Sequence, residues 1–179
     1  MPHPRQEAKT TTPHMQKRGL KSTAVNQDID IIEIILEDHK PLKKLCKVMK
    51  SEDAEFEEKT AAFEEFAPLL IAHAKPEEQV LYTFLKEDED LRAEGFEGDV
   101  EHGLADQMIE DAKRTKDQDL FEARIKVLAE LVEHHLKEEE TEVFPDFKKH
   151  SNKDERREMG HEYLDVKANF EELDEDQAH

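Results

Sequence analysis

Apolar side chains recur every three or four residues through most of the chain, the spacing that places them on one face of an α-helix. The clearest series contains the apolar residues Phe121, Ile125, Leu128 and Val132. The next two positions at the same spacing are His135 and Glu139. No stretch shows the alternation of apolar and polar residues that predicts β-strands. The sequence therefore predicts an all-α protein with a histidine and a glutamate facing the core.

Five helices are predicted from the periodicity and from the residues that favour helix ends. Their approximate ranges are 28–49, 51–90, 99–116 and 117–141, with a fifth helix after a capping box at 151–154. Asp28, Ser51 and Asp117 are the expected N-caps. Pro145 is expected to close the fourth helix.

Several prolines and glycines are expected to interrupt these helices. Pro41 should kink the first helix, and Pro68 and Pro76 should bend the second helix or break it into two pieces. Gly95 and Gly98 should mark the connection between the second and third helices.

The expected architecture is an up-down-up-down four-helix bundle over residues 27–150, flanked by two terminal segments. Residues 151–179 form an additional C-terminal helix and an acidic tail. Residues 1–26 form a disordered basic arm, because residues 1–25 contain five basic residues, one acidic residue and no apolar periodicity. A transit peptide is the competing interpretation of this arm.

Composition excludes some partners and indicates a compartment. The formal net charge of −20 makes nucleic acid and anionic membrane surfaces unfavourable partners. No apolar run approaches the roughly 20 residues that a membrane-spanning helix needs. The single cysteine, Cys46, lies on the inward stripe and cannot form an internal disulfide, which is typical of a reducing compartment such as the cytoplasm.

Each of the four predicted bundle helices carries one histidine on its inward stripe. These residues are His39, His73, His102 and His135. Glutamates follow two of them by one helical turn, in the pairs His73/Glu77 and His135/Glu139. Buried carboxylates need partners, and a metal ion bound by imidazole and carboxylate would satisfy them.

Two alternatives remain open from the residues alone. The histidines could hydrogen-bond to the glutamates in a metal-free bundle. His134 and Glu138, which have the same spacing as His135 and Glu139, could also be the ligands if the fourth helix had a different phase.

The motifs that surround these histidines resemble the hemerythrin HHE cation-binding domain over about residues 28–147. The resemblance rests on His39 within 37–45, the pair at 73–77 running into 80–82, His102 with Asp106, and the pair at 135–139 running into 143–145. It implies a non-heme centre of two iron ions bridged by two carboxylates and by an oxo or hydroxo group. By position, the four histidines would be terminal ligands, and Glu77 and Glu139 would be the bridges.

The chain departs from oxygen-carrying hemerythrins at two positions. It has Asp106 where they have a fifth histidine, and Glu139 where they have a differently spaced aspartate. With Asp106 as a ligand the site would be richer in anionic oxygen, which favours ferric iron over reversible oxygen transport. We therefore expect binding or reaction of oxygen, peroxide or nitric oxide in sensing, stress response or iron handling, and catalytic turnover stays open.

Two other functions are weighed against this one. The protein could be a non-catalytic metal or redox sensor that engages a protein partner through its C-terminal helix. The apolar stripe of that helix is Met159, Tyr163, Val166 and Phe170. A ferritin-like oxidase is disfavoured because its Glu-x2-His pairs have no match at His39, His73 or His135.

Overall fold

The computed structural model describes residues 29–177, so the predicted arm at 1–26 lies outside the described residues. Within that range the chain is helical and contains no strand, which confirms the all-α prediction. The helices are α1 (Ile31–Lys50), α2 (Phe56–Gln79), α3 (Leu81–Glu87), α4 (Arg92–Lys113), α5 (Gln118–Glu138), α6 (Phe144–His150) and α7 (Lys153–Gln177). None of them has the length and apolar character required to span a bilayer.

The helices assemble into a bundle of four rods with one helix outside it. The first rod is α1, the second is α2 followed by α3, the third is α4, and the fourth is α5 followed by α6. The first rod packs against α2 and α5, and α4 packs against α3 and α5. Short connections favour antiparallel neighbours, as in an up-down-up-down bundle. The outer helix α7 packs across α1 and α2.

The first two helices begin later than the sequence predicted. The cap of α1 is Asp30 rather than Asp28, because the Asp30 carboxylate accepts a hydrogen bond of 3.1 Å from the N–H of Ile32. The second helix starts five residues after Ser51, where the N–H of Glu55 donates to the side chain of Glu58. Each helix therefore starts where a capping hydrogen bond forms, and neither starts at the residue predicted to cap it.

The three prolines that lie within helices do not end them. The first helix continues through Pro41, and α2 continues through Pro68 and Pro76. The second rod is broken and restarted, as one of the two predicted outcomes, but at Val80 between α2 and α3 rather than at either proline.

The two glycines predicted to form a connection lie inside α4 instead. A Cβ added at Gly98 would lie 2.5 Å from Cζ of Tyr82, and one added at Gly95 would lie 2.9 Å from Cγ of Lys86. Real Cβ atoms do not approach neighbours so closely. The glycines therefore allow α3 to pack closely against α4, and the prediction that they mark the connection between two helices was wrong.

A π-helical turn, Glu139–Val143, joins α5 to α6. The N–H of Phe144 bonds to the carbonyl of Glu139 five residues earlier, and Pro145 lies in the first turn of α6. Proline is well tolerated there because its missing N–H would have no helical partner. The fourth rod thus continues to His150, beyond its predicted end.

The core consists of two apolar clusters with a polar layer between them. One cluster includes Leu42, Phe66, Ile109, Leu128 and the buried Cys46, and the other includes Ile35, Leu81, Leu85, Phe144 and Phe147. Burial raises the pKa of the Cys46 thiol to about 12, in keeping with its predicted role as a small apolar residue.

Candidate metal centre

Six polar side chains fill the layer between the two apolar clusters. They are His39 from α1, His73 and Glu77 from α2, His102 from α4, His135 from α5 and Glu139 from the π-helical turn. Each of the six is 4% exposed or less. The structure therefore brings together the four histidines and two glutamates that the sequence predicted.

The six residues form two groups of potential ligands that share Glu77. His39, His73, Glu77 and Glu139 offer ligand atoms that all lie within 4.8 Å of one another. Glu77, His102 and His135 do the same. The Nε2 atoms of His102 and His135 are 3.0 Å apart.

Each glutamate lies between two histidines from different helices. Oε2 of Glu77 is 3.3 Å from Nε2 of His73 and 3.6 Å from Nε2 of His102. Oε2 of Glu139 is 3.2 Å from Nε2 of His39, and its Oε1 is 3.6 Å from Nε2 of His135. This is the placement expected of carboxylates that bridge two metal ions.

Several atoms in this layer are buried and make no hydrogen bond. They are both carboxylate oxygens of Glu77, Oε2 of Glu139, Nε2 of His39, both ring nitrogens of His73 and Nδ1 of His102. Buried polar atoms almost always have a partner, and a cation would supply one for several of these atoms. The nitrogen and oxygen donors suit a transition metal such as iron. The residues present therefore fit a metal centre.

Three further glutamates contact the outer nitrogens of the histidine rings. Nδ1 of His135 lies 2.6 Å from Glu101, Nδ1 of His39 lies 2.8 Å from Glu140, and Nδ1 of His102 lies 3.4 Å from Glu78. Acidic partners of this kind orient the ring and make it a better ligand.

These three glutamates are absent from the ligand set that the sequence predicts. Each of them is adjacent in sequence to a predicted ligand and reaches a histidine of another helix. That adjacency is the signal that could have identified them.

Asp106 is not brought into the cluster. Its side chain is 37% exposed and accepts a hydrogen bond of 2.8 Å from Nζ of Lys75.

The two neighbouring His/Glu pairs of the fourth rod differ in their position relative to the buried layer. The side chain of His134 is 66% exposed and lies 3.4 Å from Glu138 at the edge, whereas His135 and Glu139 face the centre.

Tyr82 places its hydroxyl group among the candidate ligands. The hydroxyl donates a hydrogen bond of 2.9 Å to Oε1 of Glu139 and is 3.3 Å from Nε2 of both His102 and His135. Burial, and then the charge of Glu139, raise the pKa of Tyr82 well above its usual value, so the phenol keeps its proton. The helical periodicity gave no indication of this position for the Tyr82 hydroxyl group.

The two glutamates differ in protonation in the absence of a metal ion. Burial, and then the nearby charge of Glu139, raise the pKa of Glu77 well above its usual value. Burial also acts to raise the pKa of Glu139, but the opposite effect of His135 and His39 is larger. The pKa of Glu139 is therefore below its usual value. Without a metal ion, burial and Glu139 therefore oppose the charge of Glu77, whereas His135 and His39 favour the charge of Glu139.

The two histidines of the His-x3-Glu pairs differ in the same way. Burial and the proximity of His39 put the pKa of His73 well below its usual value. Burial acts in the same direction on His135, but Glu139 and Glu101 outweigh it and raise its pKa.

A cavity of about 80 Å³ leads from the surface between α4 and the fourth rod to this layer. Tyr82, His135 and Glu139 line its inner end, and Glu101 and Glu138 lie along it. The volume is enough for small molecules of the size of water or dioxygen.

Comparison with known proteins gives one family. The family model described as the hemerythrin HHE cation binding domain matches residues 30–147, a range that includes all six buried polar residues. No curated protein and no solved structure matches the chain significantly.

Proposed function

Because the chain belongs to the hemerythrin HHE cation-binding domain family, we propose that its cluster binds two iron ions and a small ligand. The ligand would be oxygen, peroxide or nitric oxide, and the role would be sensing, stress response or iron handling. Membership of the family and the two groups of buried ligands support cation binding.

The observation that carries the proposal is the position of the two glutamates between histidine pairs. One iron ion would be held by His39 and His73 and the other by His102 and His135, with Glu77 and Glu139 shared by both. Two histidines and two shared carboxylates leave positions on iron for a small ligand.

Bound iron would supply a change of oxidation state and an open coordination position. The protein supplies the surroundings. The hydroxyl group of Tyr82 donates to Oε1 of Glu139 and so holds that carboxylate in place. Glu101 and Glu140 orient the rings of His135 and His39. The apolar clusters on both sides exclude water from the layer.

The optical spectrum of protein purified in air from iron-rich medium tests the proposal. We expect charge-transfer absorption that disappears under a reductant and changes when nitric oxide is added. His135→Ala should abolish the absorption, while the matched variant His134→Ala should retain it. A colourless wild-type protein without iron would overturn the proposal.

A second candidate function, a metal or redox sensor that signals through α7, has support in one contact. Tyr163 is fully buried on α7, and its hydroxyl group lies 2.9 Å from Oδ2 of Asp38 and 3.2 Å from the backbone carbonyl of His73. Lys167 also binds Asp38, at 2.6 Å. The outer helix is thus tied to the backbone of a proposed ligand.

This sensor function predicts that α7 responds to the state of the metal. Hydrogen exchange of residues 153–170 should differ among the metal-free, ferrous and ferric forms, and Tyr163→Phe should reduce the difference. Equal exchange in all three forms would leave the small-ligand function as the only candidate.

We also propose a cytoplasmic location. The single cysteine is buried, and the net charge of −20 is unfavourable for contact with nucleic acid or an anionic membrane. Fractionation of cells that express the tagged full-length chain checks the location.

A further inference from the structure

A second set of metal-ligating side chains lies next to the centre, at the surface between α4 and α5. Glu101, His134 and Glu138 offer ligand atoms that lie within 4.8 Å of one another. Their side chains are 16%, 66% and 31% exposed, respectively. In contrast to the buried layer, solvent and ions can reach this set.

The cavity between α4 and the fourth rod connects this set to the buried layer. Glu101 and Glu138 line the cavity together with His135 and Glu139. Glu139 is only 2% exposed, and its Oε2 has no hydrogen-bond partner. A buried, incompletely bonded carboxylate therefore lies at the inner end of a cavity whose outer part carries metal ligands.

Within residues 29–170, no lysine or arginine balances the negative charge along this cavity. Five glutamates besides Glu139 line it, and within residues 29–170 none of them forms an ion pair with a lysine or arginine. They are Glu94, Glu97, Glu101, Glu138 and Glu142.

The other two outer glutamates of the centre are paired with cations. Glu78 accepts from Lys75 at 2.9 Å, and Glu140 accepts from Lys43 at 2.5 Å. The glutamates beside His102 and His39 are thus each paired with a lysine. Among the described residues, Glu101, the glutamate beside His135, has no lysine or arginine partner.

We propose that Glu101, His134 and Glu138 form a loading site that captures a hydrated ferrous ion and passes it through the cavity to the buried centre. The inference rests on the proposed iron function. Glu101 belongs to both sites, since it faces His134 and Glu138 and also contacts Nδ1 of His135 at 2.6 Å. An ion held there lies directly beside a ligand of the centre.

The physical basis is electrostatic concentration of a cation. A cleft lined by charges of one sign raises association rates by roughly 10- to 1,000-fold, and salt weakens the effect. At the surface, imidazole and carboxylate groups would also replace some of the water molecules bound to the ion before it reaches the buried layer.

The test is the rate at which metal-free, full-length protein takes up ferrous iron without oxygen. Uptake is followed as the loss of iron accessible to a chelator at timed intervals after rapid mixing. The variant is the double substitution His134→Asn with Glu138→Gln, which alters exposed side chains and leaves the six buried residues unchanged. Glu65→Gln removes the same charge from an exposed position on α2 and serves as the control.

We expect the double variant to fill about tenfold more slowly at low salt, to reach the same final iron content, and to keep only the part of the salt dependence that the other cavity glutamates cause. The control should fill at the wild-type rate. Equal rates in the double variant and wild type would overturn the loading site and leave the proposed iron function intact. A lower final iron content would show that these residues belong to the centre itself, which also contradicts the inference. If wild-type protein takes up no iron, both proposals fail.

Discussion

His73 with Glu77 and His135 with Glu139 occupy equivalent places on their helices, yet their surroundings differ. Both atoms of the Glu77 carboxylate lack a hydrogen-bond partner, and so do both nitrogens of His73. Glu139 accepts a hydrogen bond from Tyr82 and lies 3.2 Å from His39, and His135 contacts Glu101. The same spacing has therefore produced one pair that makes no hydrogen bond through its side chains and one pair that makes several.

This difference shows that sequence spacing and charge state are set by different parts of the chain. The spacing places each glutamate one turn after its histidine, and the neighbouring helices decide whether the glutamate is ionised. In the metal-free protein, burial opposes charge on both members of the first pair, so the pKa of His73 is lowered and that of Glu77 is raised. In the second pair, neighbouring groups outweigh burial, so the pKa of His135 is raised and that of Glu139 is lowered.

The largest expected effect comes from changing each glutamate to glutamine in the metal-free protein. Glu139→Gln should lower the free energy of unfolding by about 3–5 kcal/mol, because it removes a buried anion that His39 and His135 face. Glu77→Gln should be at least as stable as wild type, because burial and Glu139 raise the pKa of Glu77 and so oppose a charge that glutamine lacks. Denaturant unfolding after chelation measures both. Equal losses in the two variants would remove the distinction between the pairs.

The second effect concerns the acidic partner that His135 has and His73 lacks. Glu101→Gln should weaken iron binding by about 10- to 100-fold, because the ring of His135 loses the group that orients it. Glu97→Gln removes the same charge from the same cavity without touching a histidine, and it should change affinity much less. Competition with a chelator gives both affinities. A similar loss in the two variants would mean that Glu101 acts only through its charge.

The third effect is a pH dependence that separates Glu77 from Glu139. The raised pKa of Glu77 gives stability that is present below its unfolded pKa of about 4.5 and lost as the pH rises toward the folded pKa. In metal-free protein, Glu77→Gln should therefore gain stability relative to wild type above pH 4.5, by at most about 1.4 kcal/mol per pH unit. The lowered pKa of Glu139 has the opposite sign, and its contribution is lost only as the pH falls below 4.5.

Unfolding curves at several pH values between 4 and 8 check this prediction. A difference between Glu77→Gln and wild type that stays constant over that range would show that Glu77 is ionised in the metal-free protein.

The smallest expected effect concerns the position of Tyr82, whose hydroxyl group donates a hydrogen bond to Glu139 and not to Glu77. Gly98→Ala should lower stability by about 1 kcal/mol, since strain from the contact with Tyr82 exceeds the gain in helix propensity. Gly103→Ala on the same helix meets no atom within 4 Å and should raise stability by about 0.5–1 kcal/mol. Thermal unfolding of both variants measures the difference. A stabilising Gly98→Ala would mean that Tyr82 can move away freely.

The positions of the six buried polar residues could be predicted from the sequence, because helical periodicity fixes which side chains face the core. The same periodicity predicts that His135, and not its neighbour His134, faces the core. In the structure His135 is buried and His134 is exposed. Helix starts were predicted less well, since several residues near Ser51 could cap α2.

The side-chain contacts between helices could not be predicted from the sequence. Glu101 contacts a histidine of α5, and Asp106 is drawn to Lys75 of α2 rather than to the centre. The hydroxyl group of Tyr82 reaches Glu139 only because Gly98 lets α3 approach α4. None of these pairings has a fixed spacing along the chain.

The most direct test of the account is the number of iron atoms per chain, measured by elemental analysis after anaerobic loading and removal of loosely bound metal. Wild-type protein should hold two iron ions, because each glutamate lies between both histidine pairs. Glu77→Gln and Glu139→Gln should each hold fewer, since both pairs lose a shared ligand. Two iron ions in either variant, or none in wild type, would contradict the account.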